Sequence, residues 1–367
     1  MKVSFVDLKA QYLSIKTEID EAISSVIMDS AFIGGKYHKS FENDFAGYIG
    51  AGHCIGVGNG TDALFIALKA LGITAGDEVI TVSNSFIATS EAITMTGASV
   101  VFVDCDKDTF NIDVSKIERA VTERTRAIVP VHLFGRPADM DPIMEISKKH
   151  DLFVVEDAAQ AHGAVYKGKK AGTFGHFSCF SFFPGKNLGA YGDGGAILTS
   201  DEGLARKARM IANHGRIEKY NHEFEGVNSR LDGLQAAVLS VKLKHLDEWT
   251  ERRIAIAKAY DAALKDIVIT PAVSADSRHV YHLYVVRVKD RENLIKSLNA
   301  DGISTGIHYP IPLPFLKAYG YLGHKAEDFP AANELKDEIW SLPIHGNMGD
   351  DQVSYVIEKV CETLRRI

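Results

Sequence analysis

Short apolar segments alternate with helical patterns between residues 51 and 199, and this alternation constrains the fold more than any other feature. The strand candidates, such as residues 79–82 and 100–103, are β-branched and almost wholly apolar. A helical pattern at residues 86–97 separates these two strands. Strands of this kind are buried on both faces, as in a mostly parallel sheet covered by helices. The sequence therefore predicts an α/β fold.

Similar patterns cover the rest of the chain. Further strands are predicted at residues 54–58, 127–131, 152–156, 177–183 and 196–199, and further helices at residues 61–71, 139–150 and 202–212. Two amphipathic helices, near residues 14–28 and 38–48, precede the alternation. A polar loop follows it at residues 214–232, and two long helical patterns come next, at residues 234–249 and 252–264.

A boundary near residue 245 divides the chain into two predicted domains. Residues 1–245 form the large domain with the N-terminal helices, and residues 246–367 form a smaller α+β domain. The smaller domain is predicted to contain strands at residues 282–288 and 304–308, and helices at residues 291–301 and 350–366.

Composition argues against several functional classes. The net charge is −7 and the sequence has no long charged runs, which argues against nucleic acid as a partner. The four cysteines are far apart, so reduced thiols are expected and a metal site is not. The N-terminus has no apolar signal core, and no segment is long enough to span a membrane. The sequence therefore predicts a cytoplasmic protein that binds neither metal nor membrane.

One lysine, Lys186, lies in the glycine-rich run SCFSFFPGKNLGAYGDGG, directly after a predicted strand. A lone loop lysine is usually solvated, but a lysine held by such a loop can form a Schiff base if burial lowers its pKa. Asp157 follows an earlier strand at the end where open α/β sheets bind ligands, although a lone Asp there is often an N-cap. Pyridoxal phosphate (PLP) needs a lysine and a carboxylate opposite its pyridinium nitrogen. The pair predicts PLP as the cofactor, with Lys186 and Asp157 as catalytic residues.

Five other residues are candidates for holding this cofactor. Gly60 and Thr61 begin a predicted helix, whose first N–H groups can bind phosphate, with an ordinary N-cap as the alternative. Phe86 opens the next helix and can stack on a flat ring or belong to the core. Ser181 can bind phosphate or a backbone group. Gln160 can hydrogen-bond a ring oxygen or cap a helix turn.

In this order, these residues resemble the PLP-dependent aminotransferases of fold type I. More narrowly, the chain is similar to nucleotide-sugar aminotransferases of the DegT/StrS type, through the motifs FVDLKAQY, NGTDAL, EDAAQAHGA, SFFPGKNLGAYGDGGA, GVNSRLDGLQAA and HYPIPL. The resemblance implies that PLP is linked to Lys186, with Asp157 at the pyridinium nitrogen and Gln160 at the ring hydroxyl. Phe86 would lie against the ring. The phosphate would be held by Gly60, Thr61 and Ser181.

The same resemblance implies a homodimer whose active sites are shared across the subunit interface. Asn228, in the polar loop, would reach the phosphate in the partner's site. Without the resemblance, an ordinary solvated loop would account for this stretch.

The resemblance also implies a nucleotide-linked keto sugar as substrate and L-glutamate as amino donor. The motifs SFFPGKNLGA, NSRLD and HVYHLYVVR are most similar to enzymes that aminate a dTDP-linked 3-keto-6-deoxyhexose, with 4-keto sugars as the alternative. Phe183 stands where some members have tyrosine. His162 can line the sugar pocket or be structural. The implied substrate contacts are Phe183, Lys219, Tyr220, Arg230, His308 and Tyr309, several of which can equally be surface residues.

Two other functions compete with this one. A PLP-dependent dehydratase on the same scaffold would carry histidine in place of the lysine, so Lys186 argues against it. A sensor or regulatory protein that retains the fold would commonly lack the lysine or the aspartate, and both are present here.

Overall fold

The computed structural model describes residues 1–366, with a mixed seven-stranded sheet at its centre. The strands along the chain are β1 (His53–Val57), β2 (Glu78–Val82), β3 (Ser99–Val103), β4 (Thr125–Val129), β5 (Phe153–Asp157), β6 (Val165–Tyr166), β7 (Lys169–Lys170), β8 (Phe177–Ser181), β9 (Gly195–Thr199), β10 (Ser277–Arg278), β11 (Tyr284–Arg287) and β12 (Ile339–Leu342). The order in the main sheet is β1-β9-β8-β5-β4-β2-β3.

Most neighbours in this sheet run parallel, and β9 is the exception. β8, β5, β4, β2 and β3 pair in parallel, whereas β9 is antiparallel to both β1 and β8. Parallel neighbours need a long crossover, usually helical. The β8–β9 connection is a glycine-rich loop without a helix, so β9 returns in the opposite direction. The predicted α/β fold with a mostly parallel sheet is confirmed.

Thirteen α-helices surround the sheets within residues 1–366. They are α1 (Leu8–Ser14), α2 (Lys16–Met28), α3 (Gly35–Ile49), α4 (Gly60–Ala70), α5 (Ile87–Met95), α6 (Val114–Ile117), α7 (Met140–His150), α8 (Glu202–Ala212), α9 (Gly233–Leu243), α10 (Leu246–Leu264), α11 (Arg291–Ala300), α12 (Pro330–Glu338) and α13 (Asp350–Arg366). No helix in this part of the chain is both long enough and apolar enough to cross a membrane.

The structure corrects the predicted break between two long helices. The prediction ended the first helix at residue 249, but α9 ends at Leu243 and α10 begins at Leu246. No glycine or proline marks the turn, so the helical pattern runs through it without a visible stop. The turn lets Leu246 and Trp249 pack in the core at the start of α10.

The strand predicted at residues 304–308 is also wrong. This segment makes only an isolated bridge, between Gly306 and Ser341. The strand that pairs with β11 is instead β12, in the antiparallel register that places Val286 opposite Trp340. β12 follows α12 directly, and its four residues are too short to show a strand period.

The core extends across the chain in several clusters of buried side chains. The largest surrounds the main sheet and includes Leu335 and Ile339 from the C-terminal part. A second cluster joins α10, α11 and α13, and Val3 from the N-terminus belongs to it. The domain boundary near residue 245 stays a prediction.

Candidate active site

Lys186 lies in the tight loop between β8 and β9. The loop is closed by a backbone hydrogen bond from the Ala190 nitrogen to the Phe182 oxygen, at 2.7 Å. A Cβ atom at Gly189 would collide with the Pro184 carbonyl, so the turn requires glycine there. Gly189 and this hydrogen bond together hold the Lys186 backbone in a tight turn.

A buried lysine from α9 braces the same loop. The Nζ atom of Lys242 donates to the Gly189 carbonyl at 2.7 Å and lies 4.0 Å from the centre of the Tyr191 ring. Gln235, two turns earlier on α9, accepts a hydrogen bond from the Tyr191 nitrogen at 2.8 Å. Burial lowers the pKa of Lys242 to about 7. α9 therefore clamps the segment that follows Lys186.

Asp157 is the last residue of β5, and its register partner in the parallel strand β8 is Cys179. Its side chain is 5% exposed. The Oδ2 atom accepts a hydrogen bond from Thr89 Oγ1 at 2.7 Å, and Oδ1 accepts one from the Ala159 nitrogen at 3.2 Å. Burial raises the pKa of Asp157, and these two hydrogen bonds act against that rise.

The charges of Lys186 and Asp157 each shift the pKa of the other side chain. Burial lowers the pKa of Lys186 to about 8, although the Asp157 charge acts in the opposite direction. The charge of Lys186 in turn favours the ionised form of Asp157. A lysine with a pKa of about 8 is about one-tenth neutral at pH 7, and the neutral amine is the form that acts as a nucleophile or a base.

Gly60 and Ser181 meet at the start of α4. A Cβ atom on Gly60 would lie 2.7 Å from the Ser181 Cβ, so a larger residue does not fit between them. The helix is capped by Asn59, whose Oδ1 accepts from the Asp62 nitrogen at 2.8 Å, so Thr61 does not cap. The first N–H groups of the helix, at Gly60 and Thr61, have no acceptor within the helix. This corner can accept a phosphate group.

Phe86, Tyr309 and Gln160 form one wall of the same region. Phe86 lies just before α5 and is 53% exposed, which argues against the core alternative. Its ring centre is 5.7 Å from that of Tyr309. Gln160 Nε2 donates to the Tyr309 hydroxyl at 3.1 Å, and its Oε1 accepts from the Phe134 nitrogen at 2.6 Å. Tyr309, a predicted contact of the nucleotide diphosphate, thus lies beside two predicted cofactor residues.

The other predicted substrate residues are more dispersed. His308 is hydrogen-bonded to Ser341 at 2.8 Å, and burial lowers its pKa to about 4. The Lys219 ammonium group lies over the Tyr220 ring in an exposed loop, and Tyr220 is 79% exposed. Exposed Phe183 and partly buried Arg230 complete the set; the Arg230 guanidinium lies 3.5 Å from Asn213 Oδ1.

The loop that carries Asn228 is tied to its own subunit at the next residue. Ser229 Oγ donates to Asp62 Oδ2 at 2.6 Å and accepts from the Gly58 nitrogen at 2.9 Å. The Asn228 side chain itself is exposed. The sequence did not indicate Ser229, because its partners are more than 160 positions away.

His162 is fully buried and packs against aromatic rings rather than lining an open pocket. Its ring centre lies 5.3 Å from that of Phe180 and 5.8 Å from that of Phe182. Burial lowers the pKa of His162 to about 3, and the charge of Lys186 acts in the same direction. A neutral histidine in the core, the structural alternative, fits these observations.

A model of the DegT/DnrJ/EryC1/StrS aminotransferase family matches residues 13–361. The chain belongs to this family. It is 47% identical to a "dTDP-3-amino-3,6-dideoxy-alpha-D-galactopyranose transaminase" of Aneurinibacillus thermoaerophilus, covering 98% of each chain. It is 48% identical to a "Pleiotropic regulatory protein" of Geobacillus stearothermophilus, covering 100% of this chain and 99% of the relative. The crystal structure of S. venezuelae DesV in complex with a ketimine intermediate is 43% identical, covers 100% of this chain and 99% of DesV, and superposes with a TM-score of 0.98.

As a member of this family, the chain is an aminotransferase, and its cofactor is PLP. The residues present fit that group. Phe86 offers an exposed ring face, and the Gly60–Ser181 corner offers free N–H groups without side-chain bulk. Asp157 offers a buried carboxylate, and Lys186 offers an amine of lowered pKa. Within residues 1–366, no group of three or more His, Cys, Asp or Glu side chains could hold a metal ion.

Sequence reasoning missed the polar partners behind the site. Thr89 donates a hydrogen bond to Asp157, and the Asn187 side chain lies 3.3 Å from the His282 ring. Burial lowers the pKa of His282, and the charge of Lys186 acts in the same direction. These residues have no motif of their own.

Proposed function

We propose that this aminotransferase moves an amino group from L-glutamate to a keto carbon of a nucleotide-linked sugar, giving an amino sugar and 2-oxoglutarate. Relatives 47% and 43% identical to this chain are named transaminases of dTDP-3-amino sugars, which supports a dTDP-linked 3-keto-6-deoxyhexose as the acceptor. The observation that carries the proposal is the pairing of Lys186, with its lowered pKa, and the buried Asp157 in a fold of this family.

Lys186 is proposed to hold the cofactor and to move protons. When bound, PLP supplies an electron-accepting ring that makes a neighbouring C–H bond acidic. The free Nζ atom of Lys186 takes the proton from Cα of glutamate in the first half-reaction. In the second, it delivers a proton to the sugar carbon that receives the amine. A pKa of about 8 suits both directions.

The other proposed cofactor residues orient the ring and its phosphate. The Asp157 carboxylate would face the ring nitrogen and keep it protonated. Phe86 would pack against the ring, and Gln160 would donate to its hydroxyl oxygen. Gly60, Thr61, Ser181 and the partner's Asn228 would hold the phosphate.

We propose that the enzyme is a homodimer, because several apolar side chains near its N-terminus are unusually exposed. Met28 is 81% exposed and Ile33 57%. Burial of such side chains against a second copy would be favourable. The sugar nucleotide would then contact Phe183, Lys219, Tyr220, Arg230, His308 and Tyr309. A cytoplasmic location stays a prediction.

The experiment is transfer of ¹⁵N from labelled glutamate to a panel of keto sugar nucleotides, followed by mass spectrometry. We expect ¹⁵N in the product from a dTDP-linked 3-keto-6-deoxyhexose, little from 4-keto sugars, and none with Lys186→Ala. Labelling of a 4-keto sugar alone would correct the position of amination. An enzyme that binds PLP but labels no sugar nucleotide would contradict the proposal.

A regulatory role is the second candidate, because a relative 48% identical over the whole chain is named a pleiotropic regulatory protein. A regulator without enzyme activity would bind PLP or a sugar nucleotide without consuming glutamate. The same labelling experiment separates the two functions, because only a transaminase moves ¹⁵N.

A further inference from the structure

Two buried hydroxyl groups form a chain of hydrogen bonds that ends on Asp157. Thr89 Oγ1 lies 2.7 Å from Asp157 Oδ2, and Ser85 Oγ lies 2.9 Å from Thr89 Oγ1. Thr89 is 1% exposed and Ser85 4% exposed. An ionised carboxylate can only accept, so Thr89 must donate to Asp157 and accept from Ser85. The chain therefore has a single direction, from Ser85 to Asp157.

We propose that Thr89, backed by Ser85, is a positioning residue that fixes the direction and the charge of the Asp157 carboxylate. This inference rests on the proposed role of Asp157 opposite the ring nitrogen of the cofactor. A hydrogen bond to an ionised group is stronger than one between neutral groups, and a donor upstream strengthens it further. The remaining hydrogen bond to Asp157, from the Ala159 nitrogen, is longer, at 3.2 Å.

The position of Thr89 is itself set by contacts from the C-terminal part of the chain. The Tyr319 hydroxyl donates to Ser90 Oγ at 2.8 Å, directly beside Thr89 on α5. The Leu313 nitrogen donates to the Ser83 oxygen at 2.9 Å, just before Ser85. Because both ends of this short segment are anchored, the Thr89 backbone is held at its distance from Asp157.

Thr89 makes the shorter of the two hydrogen bonds that favour the ionised carboxylate. The charged and titratable groups that face Asp157 are Lys186, His132, Tyr309 and Cys179. Lys186 and His132 also favour the ionised form. Burial alone would otherwise favour the neutral acid.

The test compares Thr89→Val, which removes the hydroxyl at nearly constant shape, with Thr89→Ser, which keeps it. The proton affinity of Asp157 is measured in the cofactor-free protein, by ¹³C NMR of labelled aspartate, with Asp157→Asn to identify the signal. We expect Thr89→Val to raise that affinity about tenfold, which is about one pKa unit. Thr89→Ser should restore the wild-type value, and Ser85→Ala should raise the affinity by a smaller factor.

The holoenzyme gives a second readout. With Thr89→Val we expect about tenfold weaker PLP binding and about tenfold lower kcat, with KM for the sugar nucleotide unchanged within twofold. Wild-type proton affinity and PLP affinity in Thr89→Val would overturn the inference, even if the variant melted at a lower temperature. If Thr89→Val does not fold, Ser85→Ala decides, because an unchanged proton affinity there would equally overturn it. Full activity of Asp157→Asn would instead contradict the proposed role of Asp157 opposite the ring nitrogen, leaving the NMR result valid by itself.

Discussion

At the scale of single residues, burial disfavours the charged forms of both Asp157 and Lys186. Burial raises the pKa of Asp157 and lowers that of Lys186, and each charge partly reverses the change in the other. The site therefore holds two groups whose charged states destabilise the fold when no ligand is present.

Asp157→Asn should stabilise the cofactor-free protein at neutral pH while weakening PLP binding. The folded pKa of Asp157 lies above its ordinary value of 3.8, so the folded state binds the proton more tightly than the unfolded state. Wild-type stability should consequently fall as pH rises through the interval between the two values. The variant lacks this term, so its advantage should be full at pH 7 and shrink toward pH 4.

Thermal unfolding of both cofactor-free proteins between pH 4 and pH 8 measures this difference. Glu145→Gln, on α7, serves as a control for the loss of one carboxylate. An Asp157→Asn variant that is less stable than wild type at pH 7 would show that Asp157 stabilises the fold instead.

At the scale of secondary-structure elements, neighbouring strands and one helix start build the site. β5 ends at Asp157, and β8 leads into the loop of Lys186. The last residue of β8, Ser181, packs against the first residue of α4, Gly60. Parallel strands deliver these residues to one edge of the sheet because their carboxyl ends coincide there.

Gly60→Ala should damage this corner specifically. The added methyl group would stand 2.7 Å from the Ser181 Cβ, closer than two side chains can approach. We expect a loss of about 1–3 kcal/mol in unfolding free energy and at least tenfold weaker PLP binding.

Gly47→Ala is the matched control for that substitution. Gly47 lies in α3, and a Cβ atom there would have nothing within 4 Å. Alanine should stabilise this helix by up to about 1 kcal/mol and leave PLP affinity unchanged. Equal PLP affinities in the two variants, measured by fluorescence titration, would argue against a phosphate at the Gly60–Ser181 corner.

The same scale shows what a sequence can and cannot reveal. The strands of the main sheet were predictable, because each is a short apolar run followed by a turn or helix signal. The placement of Asp157 at the end of β5 and of Lys186 after β8 was predictable, because each stands at the end of such a run. β12 was not, because four residues directly after a helix carry no period. Thr89 was not, because its partner lies 68 positions away and only packing brings them together.

At the scale of the whole molecule, each proposed active site depends on a second subunit. The proposed phosphate contact from Asn228 comes from the partner, whereas Lys186 acts in its own subunit. Such an arrangement makes each active site a product of two chains.

A mixture of two inactive variants tests this arrangement. Lys186→Ala and Asn228→Ala should each have low activity alone. Once mixed and allowed to exchange subunits, half of the dimers would be mixed, and each would contain one intact site. We therefore expect up to about a quarter of wild-type activity in a steady-state assay.

Formation of mixed dimers is checked separately, by native mass spectrometry of the mixture with an affinity tag on one of the two variants only. If exchange is demonstrated but the two variants together stay as inactive as they are apart, Asn228 does not act across the interface.

The measurement that most directly tests the central claim is the absorbance spectrum of the purified enzyme with PLP, before and after glutamate is added. For wild type we predict a visible band of lysine-linked PLP that glutamate converts to a band at shorter wavelength, without any sugar present. Lys186→Ala should lack the visible band, and Lys242→Ala, a second buried lysine near the same loop, should retain it. A visible band that persists in Lys186→Ala, or one that glutamate leaves unchanged in wild type, would contradict the account.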